Sequence, residues 1–161
     1  MSRIRGRGNK DTELALAKLL RRHQISGWRR QATLVVRSSR RKEAQTENRK
    51  SKIRNPKLIG ASSPRLLRVK VDFVFLKSRT AIFVDGCFWH SCPKHATKPK
   101  NNRAFWRRKL AANKSRDRLV NHALRRAGWR VLRIWEHTLR WATKDKRNEA
   151  RLLRRIQRAL D

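Results

Sequence analysis

Cysteine, histidine and aspartate, the side chains best suited to metal binding and hydrolytic chemistry, are concentrated in residues 83–95, which read FVDGCFWHSCPKH. This segment contains both cysteines of the chain, two of its five histidines, one acid and two adjacent aromatic residues. Closely spaced cysteine and histidine can hold a metal ion, and a histidine near an acid can transfer protons during hydrolysis. The segment therefore indicates a functional site.

The two cysteines and two of the histidines have a spacing that could bind zinc. Cys87, Cys92 and His95 lie close together, and His137 follows soon after a predicted strand that could return it to the same place. Four such ligands would close a tetrahedral site, which is typical of structural zinc. The alternative is two reduced thiols and surface histidines, because the spacing is not that of a standard zinc finger.

Two aspartates occupy a predicted pair of strands at residues 69–76 and 80–87. If the turn between the strands spans residues 77–80, Asp72 lies directly opposite Asp85. Opposed carboxylates repel each other across a sheet, and a magnesium ion between them would remove this penalty because it prefers oxygen ligands. The alternative for each acid is an ion pair with one of the 45 lysines and arginines of the chain.

Asp117 and Glu13 are two further acids that the sequence places in predicted helices and that could belong to the site. Asp117 lies on the apolar stripe of a predicted helix, where a free acid is not expected. Glu13 is one of only two acids in the region of the first predicted helix. His90 lies in the segment described above and could act as a general base or acid, since histidine titrates near neutral pH.

Three aromatic residues are candidates for contact with a ligand. Phe88 and Trp89 lie in a predicted loop, where large aromatic side chains are unusual unless they are buried or bind something. Together with Trp106 they could stack on nucleic-acid bases or wedge between them. The alternative for these residues is packing in the core.

The hydrophobic pattern predicts elements in the order helix, strands, helix, strand, helix, which indicates an α/β or α+β domain around a mixed sheet. The predicted elements are a helix from Asp11 or Thr12 to about His23, strands at 28–36, 69–76, 80–87 and 130–135, a helix from about Arg103 to Ala127 that Gly128 ends, and a helix at about 145–160. Seven residues should share one face of the 103–127 helix, namely Trp106, Leu110, Asn113, Asp117, Val120, Leu124 and Ala127.

The composition indicates a nucleic-acid-binding protein. Lys+Arg 45 against Asp+Glu 11 gives a formal net charge of +34, and such an excess repels itself unless a polyanion is near. No apolar run approaches the roughly 20 residues of a membrane-spanning helix, and no apolar segment of a signal peptide follows the basic N-terminus. We therefore expect a cytoplasmic, nucleoid-associated protein without a membrane partner.

The 161 residues suffice for one domain with one core. Residues 1–10 are basic and predict a flexible N-terminal arm, and residues 11–161 predict a single domain. Within that domain, residues 37–66 are rich in serine, arginine, lysine and asparagine and predict a long basic loop or insertion that contacts phosphates.

Three motifs resemble the very short patch repair endonucleases, a family of DNA mismatch nicking enzymes with a restriction-endonuclease-like fold. The motifs are FVDGCFWHSCPKH at 83–95, FWRRKLAANKSRDR at 105–118 and GWRVLRIWEH at 128–137, and they occur in the order and spacing of the family. The resemblance runs from about Val71 to Leu139, with a weaker match at 12–20. One departure is that Val71 precedes Asp72, where the family usually has a proline.

The resemblance implies a role for each acidic candidate. Asp72, helped by the backbone carbonyl of Val84, would bind the catalytic magnesium, and His90 would act as the general base or activate water. Asp85 would lie next to the scissile phosphate. Asp117 would orient the histidine or the water, and Glu13 would support the site.

The resemblance also implies a structural zinc site, a DNA-contacting wedge and a substrate. Zinc would be held by Cys87, Cys92, His95 and His137, and the aromatic rings of Phe88, Trp89 and Trp106 would intercalate beside a thymine–guanine mismatch. The implied substrate is double-stranded DNA with a T:G mismatch, nicked 5′ to the thymine. Mismatch-repair proteins are possible partners, and family members act as monomers.

Three alternatives to this function remain. The first is a related endonuclease with another target preference, and the second is a basic DNA-binding protein that has lost nicking. The third is a small RNA-binding protein with a zinc knuckle. The presence of Asp72, His90 and Asp117 together disfavours the last two, because binding alone requires neutralised phosphates rather than acids in the groove.

Overall fold

The described residues, 12–37, 66–95, 99 and 101–161 of a computed structural model, form a four-stranded mixed sheet with four helices. This confirms a mixed α/β architecture. The elements in chain order are α1 (Glu13–Arg22), β1 (Trp28–Arg37), β2 (Leu66–Phe75), β3 (Thr80–Asp85), α2 (Arg103–Arg126), β4 (Arg130–Trp135), α3 (Glu136–Ala142) and α4 (Lys146–Leu160).

The strands lie side by side in the order β1-β2-β3-β4. The pairs β1–β2 and β2–β3 are antiparallel, whereas β3 and β4 are parallel and are connected through α2. Parallel neighbours bring their carboxyl ends to the same edge of the sheet, so the segments that follow β3 and β4 start close together. This connection positions the functional site.

The register of the β2–β3 hairpin corrects one prediction. Phe73 pairs with Ile82 and Phe75 pairs with Thr80, so Asp72 does not lie directly opposite Asp85. The turn occupies residues 76–79 rather than 77–80. Moving a turn by one residue moves every cross-strand partner by two, which explains the difference.

Two apolar cores cover the two faces of the sheet. The α4-side core contains Leu16 and Leu20 of α1, Phe73 and Phe75 of β2, and Ile156 of α4, together with residues of α3. The α2-side core contains Val69, Val71 and Val74 of β2 and Ala81 and Phe83 of β3, packed against Ala123 and Leu124 of α2. The sheet therefore lies between α2 on one side and the other three helices on the other.

Helix α2 has the face that the sequence predicts. All seven residues of the predicted stripe are buried or half-buried, whereas most of their neighbours are exposed. Gly128 follows the helix with a φ of +78°, the left-handed conformation that commonly ends helices. The stripe faces the sheet and directs Asp117 toward it.

The other predicted elements are confirmed within a few residues, but α3 is missing from the prediction. Its seven residues follow β4 without a break, and a helix this short gives only a weak periodic signal. The proposed N-terminal arm at 1–10 and nearly all of the 37–66 loop lie outside the described residues. Within the described ranges, no helix combines the length and the apolarity that a membrane-spanning helix requires.

Candidate active site and metal centre

A cleft of about 430 Å³ opens between the ends of β2 and β3 and the middle of α2. Four of the five predicted catalytic residues line this cleft. Arg133 of β4 also lines it, although it was not predicted. The predicted residues in the cleft lining are Asp72, Asp85, His90 and Asp117. Glu13 comes from α1 and is described separately below.

Asp72 is a half-buried carboxylate held at one oxygen. The backbone N–H of Val84 donates to Asp72 Oδ2 at 2.8 Å. The pKa of Asp72 is raised to about 6, mainly by burial and also by the nearby charges of Glu13 and Asp85, whereas the Val84 hydrogen bond and Arg133 lower it. A carboxylate in this state gains most from a cation beside it, because a cation favours the ionised form.

His90 is oriented by Asp117. The Nδ1 atom of His90 lies 2.7 Å from Asp117 Oδ2 and 3.8 Å from Asp85 Oδ1. Burial lowers the pKa of His90, but the hydrogen bond to Asp117 and the charges of the two acids raise it overall. Since Nδ1 is engaged by Asp117, Nε2 is the ring nitrogen left for proton transfer to or from a ligand.

Arg133 is the site residue that the sequence analysis missed. Its Nε and Nη2 atoms donate to both oxygens of Asp85 at 2.7 and 3.0 Å, and Nη2 also donates to Asp117 Oδ1 at 2.9 Å. The arginine side chain is 20% exposed and Asp85 only 5%. An arginine within the apolar strand sequence RVLRIW was the available signal, because a half-buried guanidinium requires an acidic partner. Arg133 therefore forms ion pairs with Asp85 and Asp117, which was the alternative to metal binding by these acids.

Glu13 reaches the same region from the first turn of α1. Its Oε2 atom accepts hydrogen bonds from Arg30 Nη2 at 3.3 Å and from Gln31 Nε2, both on β1. The charge of Glu13 is also among those that raise the pKa of Asp72, after burial. Glu13 therefore lies near Asp72.

The predicted zinc ligands come together at the edge of the sheet where β3 and β4 end. One donor atom from each of Cys87, Cys92, His95 and His137 lies within 4.8 Å of the others. Cys87 Sγ is 3.2 Å and Cys92 Sγ 3.6 Å from His137 Nδ1. Ligand bonds of about 2.3 Å to sulfur and 2.0 Å to nitrogen give sulfur–nitrogen edges of about 3.5 Å in a tetrahedron, so the donor set fits a metal ion.

Neighbouring side chains support this Cys–His cluster. Glu136 Oε2 accepts a hydrogen bond from the Cys87 backbone N–H at 3.3 Å. The ring of Trp141 packs edge-on against His95 and His137, with centroids 5.6 and 4.8 Å away. Burial and the charge of His95 lower the pKa of His137, which favours the neutral ring that binds metals.

The three predicted DNA-contacting aromatics form one cluster beside the cleft. The ring of Phe88 lies 5.1 Å from Trp89 and 5.2 Å from Trp106, measured between centroids. Asn113 of α2 donates to the Trp89 carbonyl at 3.0 Å and fixes the loop. A second cavity of about 660 Å³ adjoins Trp106 and is lined by Arg103, Arg107 and Lys114. The cluster is half-buried rather than part of either core, so its rings remain partly accessible.

Asp72→Asn should stabilise the protein in a pH-dependent way. The folded pKa of about 6 lies above the ordinary 3.8, so the folded state binds more protons than the unfolded state between these values. Ionised Asp72 therefore costs stability that accumulates as pH rises through this window and reaches about 3 kcal/mol above pH 6. Urea unfolding of both proteins from pH 4 to 8, without divalent cations, should show a stability gap that widens up to pH 6 and then stays constant. Asp161→Asn, at an exposed position, is the charge control, and a gap independent of pH would contradict the expectation.

Arg133→Met should destabilise the protein far more than Arg130→Met. Both arginines lie on β4, but Arg130 is exposed, whereas loss of Arg133 leaves Asp85 and Asp117 close together without their cation. We expect a loss of about 3 kcal/mol in unfolding free energy, as for other broken buried ion pairs. Adding Asp85→Asn to the Arg133→Met variant should restore part of this loss in urea unfolding. Equal stabilities of the two single variants would show that the ion pairs are not important.

Comparisons with known proteins find related DNA endonucleases. The family model for DNA mismatch endonuclease Vsr matches residues 63–96. The type II nicking enzyme V.NaeI of Lentzea aerocolonigenes is 54% identical over 71 residues, which are 44% of this chain and 43% of that protein. The type II nicking enzyme V.NmeAIP of Neisseria meningitidis is 37% identical over 93 residues, 56% of this chain and 66% of that protein.

A third relative carries the family name itself. The DNA mismatch endonuclease Vsr of Escherichia coli (strain K12) is 42% identical over 74 residues, which cover 45% of this chain and 47% of that protein. The chain thus spans between about two fifths and two thirds of the length of these relatives. The segment that the family model matches includes Asp72, Asp85 and His90, together with Cys87, Cys92 and His95 of the Cys–His cluster. The chain belongs to the Vsr family of DNA mismatch endonucleases.

Proposed function

We propose that this protein is a magnesium-dependent DNA endonuclease that nicks one strand 5′ to the thymine of a T:G mismatch. The observation that carries the proposal is a cleft with Asp72 and the His90–Asp117 pair, directly beside a half-buried aromatic cluster. The net charge of +34 supports a polyanionic substrate. Family membership supports DNA cleavage, and we infer a restriction-endonuclease-like fold from the same membership.

Asp72 and the backbone carbonyl of Val84 are the proposed magnesium ligands. The donors fit, because magnesium prefers oxygen and the carboxylate of Asp72 is half-buried with a raised pKa. In an extended strand the N–H and C=O of one residue project to the same side. Since the Val84 N–H points at Asp72, its carbonyl faces the same strand. When bound, the metal would stabilise negative charge that develops on the phosphate oxygens.

His90 is the proposed general base. A water molecule would attack the phosphorus atom and give one proton to His90 Nε2, while Asp117 holds the opposite ring nitrogen and stabilises the resulting imidazolium. A new phosphorus–oxygen bond forms, one ester bond breaks, and the departing alkoxide takes a proton from solvent. Asp85 lies beside the scissile phosphate in this proposal, but its oxygens are bound by Arg133, so it orients the site rather than binding the metal.

Phe88, Trp89 and Trp106 are the proposed wedge. Apolar side chains that enter between base steps unstack them and kink the duplex, at a cost of a few kcal/mol per step. A mismatched step is more easily opened than a paired one, so a wedge favours mismatches. Arg103, Arg107 and Lys114 line the adjoining cavity and are suited to contact the phosphates on either side.

The Cys–His cluster is the proposed structural zinc site. Two thiolates and two imidazoles complete a tetrahedron, so no coordination position is left for a substrate. Burial raises the pKa of Cys87, and a nearby Cys92 thiolate raises it further. A zinc ion would reverse this effect and hold both cysteines as thiolates. We infer that zinc fastens the loop after β3 to the start of α3.

The remaining expectations concern partners and location. A monomeric cytoplasmic enzyme associated with the nucleoid fits a basic protein that acts on DNA, and mismatch-repair proteins stay possible partners. The second candidate function is a nicking endonuclease with another target. The name type II nicking enzyme on V.NaeI, the 54% identical relative, favours this candidate.

His95→Ala should show whether the cluster binds zinc. His95 is exposed, so its loss would cost little unless it holds a metal ion. We expect one zinc per chain by mass spectrometry of the pure protein and a cooperative loss of thermal stability on chelation. His95→Ala should lower the melting temperature and the zinc content, whereas His122→Ala, an exposed histidine on α2, should change neither. A protein without zinc, in which both variants melt alike, would contradict the assignment.

His90→Ala should abolish nicking while leaving DNA affinity nearly unchanged. General-base catalysis contributes about 10²–10⁴-fold to a rate, so the variant should lose at least 100-fold. The assay uses labelled duplexes with each mismatch and with the matched T:A pair, with and without magnesium, and His122→Ala is the matched control. Preferential nicking of another duplex would favour the second candidate function. Tight binding by the wild-type protein without any cleavage would overturn both endonuclease proposals.

A further inference from the structure

Gln31 has a backbone conformation that its sequence does not explain. Its φ is +52°, in the left-handed region that residues other than glycine rarely adopt, although it lies inside β1. Five such residues occur in the described part of the chain, and the other four lie at turns or helix ends, where this conformation is common. Those four are Gln24, Arg79, Ser91 and Asn102. Only Gln31 interrupts a strand.

The interruption lies opposite Asp72. On β1 and β2, Arg30 pairs with Phe73 and Ala32 pairs with Val71, so the register is the same on both sides. Gln31 and Asp72 occupy the position between these two pairs, and there the ladder is broken. A rare conformation at one residue persists only where the surroundings impose it, and such residues are concentrated at functional sites.

Both strands also exchange faces at this position. Val69 and Val71 pack in the α2-side core, whereas Phe73 and Phe75 pack in the α4-side core. Residues two apart on a regular strand share a face, so the alternation reverses at Asp72. The same reversal occurs on β1, where Trp28 packs in the α4-side core and the even-numbered residues from Ala32 onward pack in the α2-side core.

Because of this reversal, the side chain of Gln31 reaches the same carboxylate as the side chain of Arg30. Adjacent residues of a regular strand point to opposite faces, yet Arg30 and Gln31 both donate to Oε2 of Glu13. The left-handed conformation of Gln31 therefore brings its amide to a carboxylate that a regular strand would place out of reach. Glu13 in turn lies close enough for its charge to act on Asp72.

We propose that Gln31 is a positioning residue, held in a strained conformation so that its amide fixes Glu13 beside Asp72 at the magnesium position. The proposal rests on the proposed function, because it assigns Gln31 to the same metal site. The alternative is that the left-handed conformation of Gln31 serves only to let the strands exchange faces. In that case the backbone conformation would be needed, but the side-chain amide of Gln31 would not. The two roles therefore respond differently to glycine, which adopts the conformation freely but has no side chain.

Gln31→Gly and Gln24→Gly form a matched pair for the test. Gln24 has a φ of +54° and is exposed after α1, away from the cleft. Both substitutions remove strain, so both variants should unfold in urea at the same denaturant concentration as wild type or a higher one. Only Gln31→Gly should nick T:G duplexes about 10–100-fold more slowly, as expected when an outer residue that supports a metal site is lost. Only Gln31→Gly should also show a smaller rise in melting temperature on addition of magnesium chloride.

Nicking and magnesium stabilisation in Gln31→Gly equal to those of Gln24→Gly would overturn the proposal. Gln31→Asn is the second variant in case the glycine variant does not fold. Asparagine tolerates the left-handed region but is one methylene too short to reach Glu13, so the same two losses are expected. If the wild-type protein nicks no duplex, the proposed function fails, and the magnesium-dependent melting shift still decides the role of Gln31.

Discussion

Arg133 joins the three elements on which the site depends. It comes from β4, contacts Asp85 at the end of β3 and contacts Asp117 on α2, and Asp117 in turn holds His90. The buried Asp85 and the half-buried Asp117 would repel each other strongly without the guanidinium, because charges interact more strongly away from water. The chain has a net charge of +34, and within its described part Arg133 is the cation that donates to both acids. The orientation of the histidine therefore depends on a residue that does not touch it.

The parallel pairing of β3 and β4 explains why so many candidate site residues lie at one edge of the sheet. Both strands end at this edge, so the loop that follows β3 and the helix that follows β4 begin side by side. The β3 loop contributes Cys87 and Cys92, and α3 contributes His137 only two residues after its strand ends. The crossover helix α2 returns over the same loop and supplies Asp117. A single topological feature thus brings together residues that are up to 50 positions apart in sequence.

The sequence predicts the site better than it predicts the geometry within it. The Cys–His spacing and the stripe on α2 correctly bring four ligand candidates together and place Asp117 at the sheet, because both depend on local periodicity and on one strand pairing. Whether Asp72 lies opposite Asp85 depends on where the β2–β3 turn begins. A shift of the turn by one residue was enough to make the predicted pairing wrong. Arg133 and Gln31 were missed for another reason. The role of each depends on a partner in another element. The apolar strand sequence around Arg133 marks this arginine as unusual but does not identify its partners, and no local pattern distinguishes Gln31 from the other polar residues of the chain.

The loop from Gly86 to His95 combines three tasks that ordinarily lie on separate segments. Cys87, Cys92 and His95 face the Cys–His cluster, Phe88 and Trp89 face the aromatic cluster, and His90 faces the cleft. Short backbone hydrogen bonds fold the loop on itself, including Cys92 N–H to the Cys87 carbonyl at 2.8 Å. Cys87 precedes His90 in the loop and Cys92 and His95 follow it, so a metal ion that binds these ligands would restrict the movement of His90. In the proposed function, the order of the general base and of the wedge therefore depends on the same few donor atoms, and a structural metal in this position would influence catalysis without contacting the substrate.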